Sequence, residues 1–540
     1  MPKITLDGKE IEVPAGQTLL LAAKDRGIEI PFFCWHPGLS IAANCRMCLV
    51  KATVQGRASF VPSCHAQAVD GMVVDTCSAE VLAARKSVLE YLLINHPLDC
   101  PQCDCAGECM LQDHAFEHGH DRSRFVEPKV TKTTTTFGPL VHYWGSRCIV
   151  CTRCVRFTDE ITGTGELAEI NRGDHKEIAV FPGRPLDNPM SGCVVDLCPV
   201  GALINADFMF QSRVWYMKST PSVCPSCSRG CNIEVDALAD TVKRFMPRHN
   251  AEVNSHWMCD AGRASYKSLN SPDRLANFRI REKDGRWTET TREAAVDVFV
   301  RKASETRKAH GTDAIAGLGS LWQTNEEVFL FENLIQSALG SGRLGFLEQA
   351  AGFTWTSKSG FVIDADKNPN RRGAQWLVDE ARVAGGLEQV LTELEAGRIR
   401  FLYVSSGMPD FKPSDRLLHA MEKAEFVVVQ DILGGPLVEK AHLVLPGAAF
   451  SEKDGTFVNS QGRVQRIRRA TAGPLDAATD VEILQRILAA LGVWSDVFSA
   501  EAIFREIAKE VGAFAGMTYA GLGEMGQVAV PAGAGAEARK

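Results

Sequence analysis

The sequence predicts a multidomain chain, α+β in its first half and α/β in its second. All 18 cysteines of the 540 residues lie between Cys34 and Cys259, in four groups with different spacings. From about residue 275 onward, apolar β-type runs alternate with helical stretches, a pattern typical of a parallel sheet. A series of thiol-rich sites followed by a cysteine-free region indicates an electron-transfer protein attached to a scaffold.

Bulk composition limits the classes of function. The formal net charge of −7 argues against nucleic acid as the main partner. The start, Met1-Pro2-Lys3, has no apolar signal region, and no run approaches about 18 consecutive apolar residues, so we expect neither export nor a membrane span. In a reducing compartment, clustered cysteines indicate metal ligands rather than disulfides.

The first segment, 1–78, is predicted to be a small β-grasp domain. Alternating apolar residues on either side of Asp7-Gly8 indicate a hairpin, and residues 17–26 have helical spacing. Cys34, Cys45 and Cys48 then follow the spacing C-x10-C-x2-C. Three thiolates from one loop and a fourth from farther along the chain suit a two-iron cluster, whereas the x10 gap is unusual for the alternative, a structural zinc site.

The fourth ligand of this first group is either Cys64 or Cys77. We favour Cys64, because Cys77 follows the apolar run Met72-Val73-Val74 and would fit there as a small buried residue.

The second group lies in the segment 79–120, where an amphipathic helix at 81–95 leads into a cysteine-dense loop. The predicted ligands follow H-x3-C-x2-C-x5-C and are His96, Cys100, Cys103 and Cys109. One imidazole among thiolates makes a cluster less negative and raises its reduction potential. The alternative is an all-cysteine site that uses Cys105 instead of His96. We favour His96, because a single residue separates Cys103 from Cys105 and makes joint ligation of one small cluster awkward.

The third group lies in the segment 135–215, after a threonine-rich extended connector at 131–136. In two-cluster ferredoxins, the run C-x2-C-x2-C-x3-C-P gives three ligands to one cluster and its last cysteine to the other. Aligned on that template, the chain retains one complete ligand set: Cys148, Cys151, Cys154 and Cys198. The positions of the other set hold Thr158, Asn188, Ser191 and Val194. We therefore predict one four-iron cluster here, with Cys193 as a non-ligand.

Three arginines lie beside the third group: Arg147, Arg153 and Arg156. Their charge would raise the potential of a cluster at that site. Ordinary surface salt bridges are the alternative interpretation.

The fourth group lies in the segment 217–273. Its spacing is C-x2-C-x3-C-x27-C, and its members are Cys224, Cys227, Cys231 and Cys259. This arrangement suits a four-iron cluster and also a zinc ribbon, so spacing leaves the metal open.

The remaining chain divides into an α/β domain at 274–526 and an Ala- and Gly-rich tail at 527–540, which we expect to be disordered. Strands are predicted at 401–405, 426–430 and 443–446, and helices at 325–339 and 481–491. Neither a G-x-G-x-x-G fingerprint nor a Walker loop is present. We therefore predict no NAD or flavin site and no catalytic residue on this chain.

With the four groups identified, the chain resembles the G subunit of bacterial NADH-quinone oxidoreductase, a member of the 75 kDa subunit family of respiratory complex I. The resemblance rests on 31–48 (PFFCWHPGLSIAANCRMC), 95–112 (NHPLDCPQCDCAGECMLQ), 147–157 (RCIVCTRCVRF) and 445–465 (LPGAAFSEKDGTFVNSQGRVQ). It implies a 2Fe-2S cluster, a 4Fe-4S cluster held by one His and three Cys, and an all-Cys 4Fe-4S cluster. The fourth group matches an additional 4Fe-4S site found in some bacterial members, which lies off the main path.

The resemblance also implies an architecture and partners. The C-terminal region is similar to a molybdopterin oxidoreductase domain, but no cysteine follows Cys259 to hold molybdenum. We expect a truncated scaffold without molybdenum or molybdopterin. Electrons would pass from a flavin- and NADH-binding subunit, through this chain, to quinone-side iron–sulfur subunits. The chain would lie at the cytoplasmic face of the bacterial inner membrane and contact the membrane only through partner subunits.

Two other functions stay open at this point. The same clusters could serve a soluble NAD-linked hydrogenase or a formate dehydrogenase, although these would require more cysteines beyond residue 259 or a complete molybdenum domain. A zinc-stapled structural protein is the other, and the ferredoxin-type spacing of the third group argues against it.

Overall fold

The structure is a computed structural model that describes residues 1–493 and 499–529. It divides into two compact units, Met1–Met217 with Ser357–Phe361, and Lys218–Thr356 with Val362–Lys540. The division at 217 lies close to the predicted boundary between the third segment, 135–215, and the fourth, 217–273.

Strands and α-helices of the first unit largely follow the apolar patterning. Its strands are β1 (Lys3–Leu6), β2 (Lys9–Glu12), β3 (Leu49–Val54), β4 (Arg57–Pro62), β5 (Val73–Asp75), β6 (Thr134–Thr136), β7 (Val141–Trp144), β8 (Leu167–Ile170), β9 (Glu177–Val180) and β10 (Leu203–Asn205). Its helices are α1 (Leu19–Lys24), α2 (Ala79–Leu93), α3 (Met110–His118), α4 (Arg153–Arg156) and α5 (Cys193–Leu197).

The first segment forms a mixed sheet in the order β2-β1-β5-β3-β4, with β1 parallel to β5 and antiparallel to β2. Asp7 and Gly8 both adopt positive φ, as a two-residue turn between twisted antiparallel strands requires. Helix α1 starts at the Thr18 cap and buries Leu19 and Leu20 in the core formed with this sheet. This topology is the β-grasp arrangement that the sequence predicts.

Two features of the first unit differ from the predictions. The threonine-rich connector ends as β6, which pairs antiparallel with β7 in the sheet β10-β7-β6. Ser357–Phe361 comes from the predicted α/β domain but belongs to the first unit. The reason is hydrogen bonding, since Ser359 N–H donates to the Ile161 carbonyl at 3.1 Å and Lys358 Nζ to the Asp159 carbonyl at 3.0 Å.

The second unit begins with an antiparallel sheet and continues as an α/β layer. Its strands are β11 (Lys218–Val223), β12 (Asn232–Leu238), β13 (Thr241–Pro247), β14 (Phe278–Arg281), β15 (Trp287–Thr290), β16 (Ile315–Ser320), β17 (Leu344–Leu347), β18 (Trp355–Thr356), β19 (Val362–Ile363), β20 (Phe401–Ser405), β21 (Phe426–Asp431), β22 (Leu443–Pro446), β23 (Gly455–Val458), β24 (Arg463–Ile467) and β25 (Gln527–Val528). Its helices are α6 (Asp260–Ala264), α7 (Arg292–His310), α8 (Asn325–Glu332), α9 (Arg371–Leu377), α10 (Glu380–Glu395), α11 (Asp415–Met421), α12 (Pro436–Glu439), α13 (Asp480–Ala490), α14 (Ala500–Glu510) and α15 (Tyr519–Leu522).

The main sheet has the order β15-β14-β22-β21-β20-β16-β17. Strands β22, β21, β20, β16 and β17 are parallel to their neighbours, as the sequence predicts, and β14 and β15 add an antiparallel edge. Every residue of β16 and β20 is buried, because helices cover both faces of a parallel sheet. The predicted strands and helices therefore exist at nearly the predicted positions.

The predicted disordered tail, 527–540, starts within chain that the structure describes as ordered up to residue 529. Gln527 and Val528 form β25, which pairs with Arg463 and Val464 of β24. Backbone pairing with an existing strand orders this short segment despite its composition. Residues 530–540 of the predicted tail lie outside the described residues. Within the described residues, none of the helices is both long enough and apolar enough to cross a bilayer.

Candidate metal centres

The first cysteine group converges from one loop and two strand ends. Cys34 and Cys45 lie in the loop between α1 and β3, Cys48 immediately precedes β3, and Cys64 follows β4. Cys34 N–H donates to Cys45 Sγ at 3.5 Å. Thiol contacts with Cys45 and Cys64 lower the pKa of Cys34 to about 2, and the contact with Cys64 lowers the pKa of Cys48 to about 7. The structure therefore brings these four sulfur atoms together, the geometry a two-iron cluster needs.

Cys77, the rival fourth ligand, lies elsewhere. It is exposed, its N–H donates to Asp75 Oδ1 at 3.0 Å, and its thiol lies near the carboxylates of Asp7 and Asp75. The prediction that Cys77 fits as a buried apolar residue is wrong, because the turn capped by Asp75 directs it to the surface.

The second group lies close to Cys105, the residue that the sequence offers as the alternative ligand to His96. Cys103, Cys105 and Cys109 are buried, whereas Cys100 is exposed. The Cys105 thiol contacts the Cys109 thiol, an interaction that raises the pKa of Cys105 and lowers that of Cys109 to about 7. A Cβ atom at Gly201 would lie 2.1 Å from Cys103 Sγ, so glycine leaves room for the sulfur atom.

His96 has a charged environment of its own. Burial, with Arg147 and Lys129 nearby, lowers the pKa of its imidazole to about 4, so the ring is neutral at physiological pH. Arg147 is only 3% exposed and forms an ion pair with Asp99 at 3.0 Å. The same guanidinium also lies within electrostatic range of Cys103. Neutral imidazole is the form that ligates metals.

The third group lines a small pocket. All four predicted thiols line it: Cys148, Cys151, Cys154 and Cys198. Burial raises the pKa of each thiol, to about 11 for Cys148, Cys151 and Cys198. A pocket lined by four thiols fits a cubane cluster, whose positive iron would stabilise the thiolates against that burial.

Backbone geometry directs the loop 148–154 inward. Val150 and Thr152 both adopt positive φ, an uncommon conformation for β-branched residues. Val150 N–H donates to Cys148 Sγ at 3.3 Å, and the Tyr143 hydroxyl also contacts this sulfur. The strained turn thus supplies hydrogen bonds to a predicted ligand.

The positions where a second ferredoxin ligand set would be are occupied by other packing. Thr158, Asn188, Ser191 and Val194 are all buried. The Thr158 hydroxyl donates to the Val155 carbonyl at 2.9 Å. Cys193 is fully buried at the start of α5, away from the four thiols that line the cavity.

Two of the arginines join neighbouring cysteine loops. Arg153 is 5% exposed, and its guanidinium donates to the Trp35 carbonyl at 2.6 Å and to the Leu197 carbonyl at 3.0 Å. Trp35 follows Cys34, and Leu197 precedes Cys198. Arg156 Nη2 donates to the Cys34 carbonyl at 2.6 Å. The surface salt-bridge interpretation is therefore wrong for these two side chains, and Arg147 does form an ion pair, with Asp99, but from a buried position.

The fourth group lies in the second unit. Cys224 follows β11, Cys231 precedes β12, and Cys259 caps α6; Cys224 N–H donates to the Cys231 carbonyl at 2.8 Å. Burial raises the pKa of Cys224 to about 11 and that of Cys259 to about 12. Gly262 N–H donates to Cys259 Sγ at 3.3 Å. Four buried thiols, one of which caps a helix, could bind either an iron–sulfur cluster or a zinc ion.

The sheet of the second unit contains a buried ionic network that sequence patterning did not predict. Lys453 Nζ lies 2.7 Å from a carboxylate oxygen of Glu327 and 3.1 Å from one of Asp480. All three side chains are almost completely buried. The network depends on contacts between distant segments, so no local spacing signals it.

Comparison with known families agrees with this arrangement. Five family models match: a 2Fe-2S iron–sulfur cluster binding domain at 2–79, an NADH-ubiquinone oxidoreductase-G iron–sulfur binding region at 85–124, an NADH-quinone oxidoreductase subunit 3 ferredoxin-like domain at 138–204, a molybdopterin oxidoreductase Fe4S4 domain at 217–271 and a molybdopterin oxidoreductase at 377–490.

Curated relatives cover most of the chain. The NADH-quinone oxidoreductase G subunit of Rickettsia felis is 30% identical over 95% of this chain and 91% of its own length. The mitochondrial NADH-ubiquinone oxidoreductase 78 kDa subunit of Neurospora crassa is 32% identical over 91% of this chain and 81% of its own length. A chain of an NAD+-reducing [NiFe]-hydrogenase is 32% identical but matches only 39% of this chain, with a TM-score of 0.36. The chain therefore belongs to the family of NADH-quinone oxidoreductase G subunits.

Proposed function

We propose that the chain is the iron–sulfur electron-transfer subunit in the peripheral arm of a proton-translocating NADH:quinone oxidoreductase. It relays electrons from a flavin- and NADH-binding subunit towards quinone-side iron–sulfur subunits. The observation that carries the proposal is the connection of the first and third cysteine groups through Arg153 and Arg156, within one compact unit that also holds the second group. Membership of the G-subunit family supports the same function.

Each cysteine group is assigned one cluster. The 2Fe-2S ligands are Cys34, Cys45, Cys48 and Cys64. The three 4Fe-4S ligand sets are His96, Cys100, Cys103 and Cys109; Cys148, Cys151, Cys154 and Cys198; and Cys224, Cys227, Cys231 and Cys259. When bound, such clusters accept and donate single electrons. The cavity among the third set of thiols and the space left by Gly201 beside Cys103 support these assignments.

In the second group, Cys105 is proposed as a hydrogen-bond donor rather than a ligand. Its thiol already contacts Cys109 Sγ, and hydrogen bonds to ligand sulfur stabilise the reduced state of a cluster. His96 then completes the set from the end of the segment that follows α2. The exposure of Cys100 places the edge of this group at the protein surface.

For electron transfer, the protein fixes the positions of the sites, their burial and the charges around them. No bond of a substrate is made or broken on this chain. Most of the proposed ligand thiols are buried, which limits the access of water to the sites, although Cys100 is exposed. The hydrogen bonds of Arg153 and Arg156 hold the first and third cysteine loops at a fixed separation. The positive charges of these two side chains favour the reduced state of the clusters at both sites. NADH and flavin bind a partner subunit, and the molybdopterin-like domain acts as a scaffold without molybdenum. The chain lies at the cytoplasmic face of the membrane and reaches it through partners.

The test replaces the chromosomal copy of the gene in its native host with a tagged copy. We expect the tagged chain to purify with an NADH-oxidising, quinone-reducing complex, and deletion to abolish that activity in membranes. Deletion membranes that retain full activity, or a tagged chain that purifies with hydrogen- or formate-oxidising activity, would refute the proposal.

A further inference from the structure

Helix α3 carries a group of metal-binding side chains that the four cysteine groups do not use. His114, Glu117 and His118 lie at positions i, i+3 and i+4, which share one face of a helix. One ligand atom from each residue lies within 4.8 Å of the other two. Two imidazoles and a carboxylate are the ligand set of several open zinc sites.

The distances within this group suit a bridging ion better than hydrogen bonds. Glu117 Oε2 lies 3.9 Å from His114 Nδ1 and 3.6 Å from His118 Nε2. Hydrogen bonds would require about 2.7–3.2 Å. Zinc bonds of about 2.1 Å in a tetrahedron hold neighbouring ligand atoms about 3.4 Å apart. The carboxylate oxygen is therefore placed between two imidazoles at nearly the spacing that a zinc ion imposes.

The environment of His114 provides an independent observation. Both of its ring nitrogens are buried, and neither has a hydrogen-bond partner among the described residues. A backbone group of Phe32 lies close enough to raise the pKa of His114, against the lowering by burial, but it does not meet hydrogen-bond geometry. Leaving a buried polar atom unpaired costs roughly 1–3 kcal/mol, and coordination of a metal through one ring nitrogen would remove that cost for the nitrogen that binds.

Neighbouring side chains fix the ring and limit the affinity. His114 packs edge-on against Phe33, with ring centroids 5.3 Å apart, so the imidazole is held in place. The Glu117 side chain is 63% exposed and leaves one side of the group open to water. The positive charge of Arg85 near His118 opposes a cation.

We propose that His114, Glu117 and His118 bind one divalent transition-metal ion, Zn²⁺ being the best match, with water completing a tetrahedron. Because Phe33 precedes Cys34, the ion lies next to the first cysteine loop but shares none of its ligands. The site is independent of the clusters and of the proposed electron-transfer function.

The test uses the full chain with its clusters in place, purified anaerobically and dialysed against a chelator. Equilibrium dialysis with ZnCl₂ measures zinc per chain, and X-ray absorption at the zinc edge identifies the ligands. We expect one zinc per chain with nitrogen and oxygen ligands at about 2.0–2.2 Å and no sulfur. His118→Gln should weaken zinc binding at least tenfold, an estimate based on the loss of one of three protein ligands.

His120→Gln is the matched control, since His120 is an exposed histidine two residues beyond the group. It should bind zinc like the unmodified chain, and both variants should keep their iron content and EPR spectra, which shows that they are folded. Equal uptake of added zinc by both variants, added zinc held only by sulfur, or no binding at millimolar zinc would overturn the proposal. None of these outcomes bears on electron transfer, so the two proposals fail separately.

Discussion

The first three cysteine groups and the fourth differ in what surrounds them. In the first unit, buried arginines reach from one cysteine loop to carbonyl groups of the next, as Arg153 does between Trp35 and Leu197. In the second unit, contacts around the fourth group lead into the scaffold. Ser228 N–H bonds to the Asp366 carbonyl, and Gln465 Nε2 bonds to the Gly230 carbonyl at 3.0 Å.

The difference indicates a division of labour between the two units. Charged side chains that hold several redox sites at fixed separations serve electron transfer, which depends on spacing and potential. Amide and backbone contacts that attach one site to a sheet serve its stability. The first three groups therefore form the electron path in our account, and the fourth is a structural site.

The largest contrast should come from replacing one cysteine of the third group and, separately, one cysteine of the fourth group. Cys151→Ser should reduce the NADH:quinone activity of membranes to background, because a series path fails when one link is lost. Cys227→Ser should lower the amount of assembled complex but leave most of the turnover per complex. Activity normalised to the chain content of purified complex measures both. Loss of turnover in assembled Cys227→Ser complex would place the fourth group on the path.

A second contrast compares two glycines, Gly201 beside the second group and Gly262 beside the fourth, by the room that each leaves for an added Cβ atom. A Cβ atom at Gly201 would lie 2.1 Å from Cys103 Sγ, which requires the ligand to move. A Cβ atom at Gly262 would lie 3.0 Å from Cys224 Sγ and 3.3 Å from Cys259 Sγ, so a small shift of these sulfur atoms would make room for it. We expect Gly201→Ala to lose about four irons per chain and Gly262→Ala to keep nearly all of them, as measured by elemental analysis. Equal iron contents would contradict the packing argument.

The stability of the second unit should depend on its buried ionic network. Lys453→Met leaves Glu327 and Asp480 buried without their cation, which should cost roughly 3–5 kcal/mol in the free energy of unfolding. Lys440→Met removes a partly exposed partner of Glu422 and should change the free energy of unfolding far less, because water screens an exposed ion pair. Urea unfolding followed by tryptophan fluorescence compares the two variants. The EPR signals of the first three groups, which lie in the other unit, should not change in either variant, and a change in those signals in Lys453→Met would argue against the independence of the first unit.

The smallest expected effect is on reduction potential. Arg153→Gln removes a buried positive charge within electrostatic range of Cys151 and Cys198. The midpoint potential of the third group should fall by tens of millivolts in an EPR-monitored redox titration, while Arg153→Lys should stay near the original value. If both variants shift equally, hydrogen-bond geometry rather than charge sets the potential.

Much of this architecture is predictable because its signals are local. The spacing of Cys148, Cys151 and Cys154 within one loop dictates that their thiols converge, and the apolar runs at 401–405 and 443–446 identify buried strands. The contacts that join the groups are not predictable in detail. Arg153 and Trp35 are 118 positions apart, and no local pattern indicates that they meet.

The errors have similar causes. Cys77 is exposed because Asp75 caps the turn before it. The strand at Gln527–Val528 exists only because β24 offers an edge to pair with. A local hydrogen bond in the first case and a tertiary strand pairing in the second override a preference inferred from composition.

The central claim is tested most directly by metal analysis and EPR on the full chain, prepared anaerobically and reduced stepwise. The account predicts about 14 irons per chain, one 2Fe-2S signal, several 4Fe-4S signals at separate potentials and no molybdenum. About 10 irons with one sulfur-bound zinc would leave the electron path intact and make the fourth group a zinc staple. Fewer irons than that, or stoichiometric molybdenum, would contradict the account.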